Sequence, residues 1–285
     1  MEFWFTEEHS DDVRFSMRIK RHLFSRQTPY QQIDIFESVE FGKVLILDDS
    51  VVITEKDEFI YHEMMVHVAM AAHPAIRNVL VIGGSNGGVV RELIKYPTLE
   101  RIDVVEADEE LFRACRLHFP KLTKSLDDPR INIKVSDGMK YVRKNNGIYD
   151  LILIDSTDPF GPNEPLFTRE FYGNCFTALN ADGILVTQQE SPFYPKTAEA
   201  MVKAVARMHQ LFPIVRVYQA HIPSYPSGLW LFSFASKTIH PFHDLEIRAW
   251  EALKLTTRYY NGDIHTGCFA LPNTIKEDLL NETQR

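Results

Sequence analysis

Two carboxylates three positions apart, Asp155 and Asp158, stand where an apolar run ends. Leu151, Ile152, Leu153 and Ile154 precede Asp155, and Pro159, Gly161 and Pro162 prevent a helix from continuing. A short apolar run bounded by turn residues reads as a buried strand of a parallel sheet. Asp155 then falls at the strand's carboxyl end, the edge where open α/β sheets bind ligands. Paired acids there suit a cationic substrate, or a base that takes a proton from an amine. The same residues fit a second description equally well, with Asp155 capping a helix and Asp158 solvated in a turn.

Other strand ends add to the first. Val79-Leu80-Val81-Ile82 runs into Gly83-Gly84-Ser85-Asn86-Gly87-Gly88. Glycines let a backbone approach a ligand closely, and a helix start favours electronegative groups. The loop is not the GxGxxG fingerprint, because Ser85 holds the third position. Glu106 ends the next apolar run, about 20 residues on, where an acid accepts hydrogen bonds from ribose hydroxyls. Asp137-Gly138 follows the run after that and fits either a nucleobase acceptor or a helix cap. Three acids and a glycine loop on one sheet edge point to a nucleoside site beside a cation site. The histidines are scattered, so no metal-ligand spacing emerges, and no Ser-His-Asp or Cys-His set is present. Cys115 and Cys175 lie in apolar helical stretches and read as core residues.

The elements that hold these residues follow from periodicity. Alternation over 14–19 and 32–37, then 44–47 and 51–53 separated by Asp48-Asp49-Ser50, gives a small antiparallel β domain over residues 1–56. From residue 57 to 285 the pattern changes. A helix over 58–72, free of Gly and Pro, precedes alternating strands and helices. The strands are read at 78–82, 101–106, 131–135, 149–155 and 183–188. The helices are read at 89–96, 109–118, 139–144, 169–179 and 196–212. Such interleaving predicts a doubly wound, mostly parallel sheet. A hairpin of 215–220 and 229–235 closes it.

Composition sets the class. The chain of 285 residues is 45% hydrophobic and 25% charged, ordinary for a globular protein. Its 31 Lys and Arg against 39 Asp and Glu give a net charge of −8, which opposes nonspecific nucleic-acid binding and suits a cationic small molecule. Three widely spaced cysteines with no CxxC indicate neither a disulfide framework nor a zinc site. The start, acidic and without a basic n-region, does not read as a signal peptide, and no apolar run is long enough to span a membrane. A cytoplasmic location is expected.

The chain closely resembles the polyamine aminopropyltransferases, the spermidine synthases. Its matching stretches include Tyr30-Gln31-Gln32-Ile33, Asp57-Glu58-Phe59-Ile60-Tyr61-His62-Glu63-Met64, the glycine loop and Val105-Glu106-Ala107-Asp108. They continue through Asp137-Gly138, Asp155-Ser156-Thr157-Asp158-Pro159, Gly161-Pro162, Gln188 and Pro223-Ser224-Tyr225-Pro226-Ser227-Gly228-Leu229-Trp230. The resemblance spans nearly the whole chain, and the ordered set is highly specific. It implies an α/β fold, the class I methyltransferase-like Rossmann fold, with the small N-terminal β domain. It also implies a homodimer or homotetramer. The implied donor is decarboxylated S-adenosylmethionine, consumed as a co-substrate, so no cofactor is needed. The usual acceptor is putrescine, giving spermidine and 5′-methylthioadenosine. By position, Gln31, Gly83, Gly84, Glu106, Asp137, Gly138 and Pro162 would hold the nucleoside. Tyr61, His62, Asn86, Asp158, Gln188 and Tyr225 would hold the amine groups. Asp155 would also bind amine and would act as general base.

One stretch departs from the family pattern. Its glycine loop usually reads GGGDGG, with the aspartate expected on the donor's ammonium; here Ser85 and Asn86 replace a glycine and that aspartate. An amide accepts a hydrogen bond through its carbonyl but carries no charge. The substitution leaves two further classes open beside the aminopropyltransferase: a transferase using intact S-adenosylmethionine or another amine, and a nucleoside-binding paralogue with weak turnover.

Overall fold

The computed structural model describes residues 2–156 and 161–283, without the side chains of 161–163 and 283. Strands β1 (Phe3–Ser10), β2 (Val13–Gln27), β3 (Gln32–Ser38), β4 (Lys43–Leu47) and β5 (Ser50–Thr54) form one antiparallel sheet in chain order. Asp48 and Asp49 turn β4 into β5 with φ of 46° and 66°, the positive values that a two-residue hairpin loop requires. Strand β1 was not anticipated. Phe3, Trp4 and Phe5 are consecutive and hide the alternation, yet Phe5 packs on Phe36 at 5.8 Å between ring centroids.

Helix α1 (Glu58–Ala72) crosses from this sheet into the rest of the chain. Nearly every one of its residues is buried, so it carries no amphipathic stripe. There follow β6 (Asn78–Gly83), α2 (Gly88–Leu93), β7 (Arg101–Glu106), α3 (Glu109–His118), α4 (Pro120–Thr123) and β8 (Ile131–Val135). Next come α5 (Gly138–Val142), β9 (Tyr149–Asp155), α6 (Arg169–Ala178), β10 (Leu179–Glu190) and α7 (Pro195–His209). The chain continues through β11 (Ile214–His221), β12 (Leu229–Ser236), α8 (Ile247–Ala252), α9 (Gly262–Gly267) and α10 (Asn273–Thr283). The three last helices were not foreseen, since each is short or weakly periodic.

The second sheet has the order β11-β12-β10-β9-β6-β7-β8. Its pairs from β10 to β8 are parallel, and β12 joins β10 and β11 antiparallel. Both faces are covered, as alternate residues show. Val79, Val81, Leu151 and Leu153 pack in one cluster with Met64 and Val68 of α1. Leu80, Ile82, Ile152 and Ile154 pack in the other with Phe171 and Cys175 of α6 and Met201 of α7. This is the expected doubly wound α/β fold with an N-terminal antiparallel β portion. Among the described residues, no helix is long and apolar enough to cross a membrane.

Candidate active site

Strand register builds the site. Gly83 pairs with Asp155 across β6 and β9. Ile154 pairs with Thr187 and Ile82 pairs with Val105, so Gln188 and Glu106 stand one residue beyond those pairs. Gln188, Asp155, Gly83 and Glu106 therefore form one row over four adjacent strand ends. At about 4.8 Å per strand the row is roughly 14 Å long. The chain order reverses between β6 and β9, so Gly83 and Asp155 flank the crevice where such sheets bind ligands.

A cavity of about 550 Å³ opens over this row, between the two sheets. Its wall includes Gln31, Tyr61, Gly83, Gly84, Asn86, Glu106, Gly138, Asp155, Gln188 and Tyr225. Gly83 is required by space: at φ +88°, a Cβ there would come within 2.0 Å of the Asp155 carbonyl oxygen. Gln31 reaches in from the start of β3. Its Nε2 donates to Asp108 Oδ2 at 3.1 Å, tying the N-terminal sheet to the end of β7. Asn86 is buried, and its Oδ1 accepts the Gly88 N–H at 2.7 Å, so the carbonyl closes the loop against the start of α2.

The carboxylates differ in setting. Burial pushes the Glu106 carboxyl up to about 7; nearby Asp108 and Asp155 charges add to this, while the Asp108 and Ala107 backbone N–H groups oppose it. Burial also raises Asp155, held back by His62 and the Tyr61 hydroxyl. Asp155 Oδ2 is buried with no hydrogen-bond partner among the described residues. An unpartnered buried carboxylate oxygen is costly and marks a place where a donor is expected from a ligand. Tyr61 and Tyr225, centroids 6.1 Å apart, have hydroxyls pushed well above their ordinary value, first by burial and next by Asp155.

Two described candidates, His62 and Asp137, are not part of that wall. His62 is fully buried and outside the cavity wall as described. Its Nδ1 meets Glu58 Oε2 at 2.5 Å, and its ring fills the space above Gly88, where a Cβ would lie 2.1 Å from it. Arg91 grips Glu58 at 2.7 and 3.0 Å. Burial would lift the Glu58 carboxyl, but His62 and Arg91 hold it at about 2. His62 therefore packs behind the glycine loop, tied to Glu58. Asp137 is exposed and caps α5, accepting Lys140 N–H at 3.1 Å, while its neighbour Gly138 reaches the wall. Asp158 and the Pro162 side chain lie outside the described residues.

The wall also contains residues not singled out from sequence: Glu7 and His9 of β1, Glu190 at the end of β10, and Tyr194. Glu190 has φ +117°, a strained value for a residue with a side chain, at a bulge where β10 leaves register with β12. The Gln188 Nε2 donates to Glu190 Oε1 at 3.2 Å. The pair Gln188 and Glu190, two apart on one strand, was the available signal; Glu7 had none once β1 went unrecognised.

Comparison with known proteins decides the family. A model described as "Spermine/spermidine synthase domain" matches residues 58–244, and one described as "Spermidine synthase tetramerisation domain" matches residues 3–55. The chain belongs to the spermidine synthase family of polyamine aminopropyltransferases. The polyamine aminopropyltransferase of Alkaliphilus oremlandii is 56% identical over 284 residues, covering 100% of both chains. That of Clostridium beijerinckii is 53% identical over 281 residues, covering 99% of each. A solved spermidine synthase in complex with the transition-state analogue AdoDATO superposes with a TM-score of 0.95 at 40% identity, over 98% of this chain and 95% of that one. The spermidine synthase from Thermotoga maritima gives 0.93 at 40% identity, over 98% and 94%. The aminopropyltransferase activity expected from the motifs agrees with all of these.

Proposed function

We propose that this aminopropyltransferase moves the aminopropyl group of decarboxylated S-adenosylmethionine to putrescine, with Asp155 as the base. The observation that carries this assignment of roles is the row of strand ends. A carboxyl suited to ribose, Glu106, lies at one end, Asp155 stands at the crevice, and Gln188 leads to further acids.

In this reading the nucleoside lies over Gly83, Gly84 and Gly138. Gln31, Glu106, Asp137 and Pro162 fix its ribose and base. Asn86 faces the propyl end of the donor. The acceptor runs past Tyr61, Tyr225 and Gln188, with Asp158 at the reacting amine and Glu7 and Glu190 toward its far ammonium. His62 acts from behind, through Glu58. A primary amine is mostly an ammonium at neutral pH, near the reference value of about 10.4, and an ammonium has no lone pair. Asp155, raised by burial, accepts the proton as the nitrogen attacks the carbon bonded to the sulfonium. The carbon–sulfur bond breaks, its electron pair stays on sulfur, and neutral 5′-methylthioadenosine leaves. Alignment of nitrogen, carbon and sulfur supplies much of the acceleration.

We further assign residues 1–56 and 57–285 as the two structural units, a homo-oligomer as the working form, and the cytoplasm as its location. The test is direct. The protein is mixed with decarboxylated or intact S-adenosylmethionine and with putrescine, cadaverine, agmatine or spermidine, and products are identified by mass spectrometry. Spermidine from the first donor and putrescine is the expected result. An aminocarboxypropylated or methylated amine would overturn the donor assignment, and nucleoside binding without product would overturn the enzymatic one. Asp155→Asn is expected to lower turnover by at least a hundredfold, in the range general-base loss produces, and to leave methylthioadenosine binding intact.

A further inference from the structure

Asp57 stands at the N-cap position of α1, yet its side chain does not cap that helix. An aspartate there ordinarily accepts a backbone N–H of the first turn. Instead both its oxygens turn to a loop 167 residues further along the chain. Oδ2 accepts the Ser224 N–H at 2.9 Å, and Oδ1 accepts the Ser224 hydroxyl at 3.0 Å. Oδ1 also takes the Thr54 hydroxyl of β5 at 2.6 Å. Asp57 is 4% exposed, and Thr54 and Ser224 are fully buried. A second tie lies one residue on, where the Tyr225 hydroxyl donates to the Val52 carbonyl, also on β5. Around these ties the loop folds tightly on itself, with Tyr225 N–H to Ile222 O at 3.0 Å and Gly228 N–H to Tyr225 O at 2.9 Å.

The joint has consequences for the cavity. Tyr225 lines it, stacks edge-on against Trp230 at 4.7 Å and faces Tyr61, which sits one helical turn along α1 from Asp57. We propose that Asp57 is a positioning residue for the amine channel: its carboxylate clamps loop 222–228 to β5 and the start of α1, setting Tyr225 opposite Tyr61. This rests on the reading of that end of the cavity as the amine side. The nucleoside end, at Gln31 and Glu106, has its own fastening through Asp108 and does not depend on Asp57.

The test uses the full-length protein and two readouts. Hydrogen exchange of loop 222–228 reports the clamp without reference to turnover, and steady-state kinetics with putrescine reports its consequence. Asp57→Asn keeps shape and one acceptor oxygen but loses the charge. A hydrogen bond to a charged group contributes roughly 1.5–3 kcal/mol, so exchange at the Ser224 amide is expected to rise about tenfold or more. KM for putrescine rises about tenfold as well, while the Kd for methylthioadenosine stays within twofold. Ser224→Ala, which removes one hydroxyl, gives a smaller change in the same direction and serves if Asp57→Asn does not fold. Unchanged loop exchange overturns the clamp. Faster exchange with unchanged KM, or equal weakening of amine and nucleoside, overturns its positioning role. A wild-type protein that makes no transfer product fails the functional reading instead, and leaves the exchange result standing.

Discussion

At the scale of single residues, the site is a set of carboxyls tuned by what surrounds them. Glu106 stands at about 7, raised chiefly by burial. The ribose hydroxyls proposed as its partners donate to the ionised form, so they lower its pKa on binding. The sign follows. Above pH 7 the group is already ionised and affinity is flat; below pH 7 the nucleoside must drive off a proton. Affinity for methylthioadenosine is therefore expected to fall as pH drops below about 7, by up to tenfold per unit, with proton release detectable by calorimetry in two buffers. Flat affinity down to pH 5.5 would remove Glu106 from that role. In the unliganded protein the raised pKa acts the other way. Its stabilising contribution is full below the ordinary carboxylate value and is lost as pH rises through about 7.

Asn86 is the other informative residue. Its Oδ1 is committed to the Gly88 N–H, so an aspartate would keep that bond with one oxygen and turn the second toward the cavity. Asn86→Asp is expected to raise kcat/KM for decarboxylated S-adenosylmethionine several-fold, since a charge-assisted hydrogen bond is about twice as strong as a neutral one. An unchanged or lowered value would show that Asn86 does not meet the donor's ammonium. The identities of these residues were legible in the sequence because strand ends carry them. The side to which each one turns was not, since it depends on partners such as Gly88 for Asn86 and Lys140 for Asp137.

At the scale of elements, the motif Tyr61-His62-Glu63 distributes three neighbours to three directions, which only α1 can explain. Tyr61 meets the cavity, His62 meets Glu58, and Glu63 points to the far C-terminal segment. The buried Glu63 carboxylate accepts backbone N–H groups of Arg258, Tyr259 and Tyr260 at 2.8, 2.8 and 2.9 Å. Glu63→Ala strands those three donors and is expected to cost about 2–5 kcal/mol, read as a lowered midpoint in urea, with methylthioadenosine still bound by the folded fraction. A variant as stable as the parent would mean that water replaces the carboxylate. The sequence located α1 by its freedom from Gly and Pro and its stop at His73-Pro74. It could not foresee that residues 258–260 need α1, because a contact of 195 residues' separation leaves no local trace. The late helices α8 to α10 escaped for the same reason: they are fixed by what they pack on rather than by their own pattern.

At the scale of the whole molecule, strand β1 carries exposed aromatics at its start and cavity-wall residues toward its end. Phe3 and Trp4 are 61% and 57% exposed, adjacent apolar side chains on the outer strand of a five-stranded sheet. An open edge with exposed aromatics is a pairing surface that a lone subunit would otherwise have to protect. On the same strand, Glu7, Glu8 and His9 reach the cavity wall, while Trp4 lies nearer the strand's start. If the first hairpin seats against another copy, that contact also fixes the outer cavity wall. Trp4→Glu is accordingly expected to shift the protein to smaller species in sedimentation velocity, with far-UV circular dichroism unchanged. Turnover is expected to fall on the amine side, as a raised KM for putrescine recovered in part at high protein concentration. A Trp4→Glu protein that sediments like the parent would place the subunit contact elsewhere. One that dissociates yet retains its KM would show that β1 holds Glu7 and His9 in place without help from a second subunit.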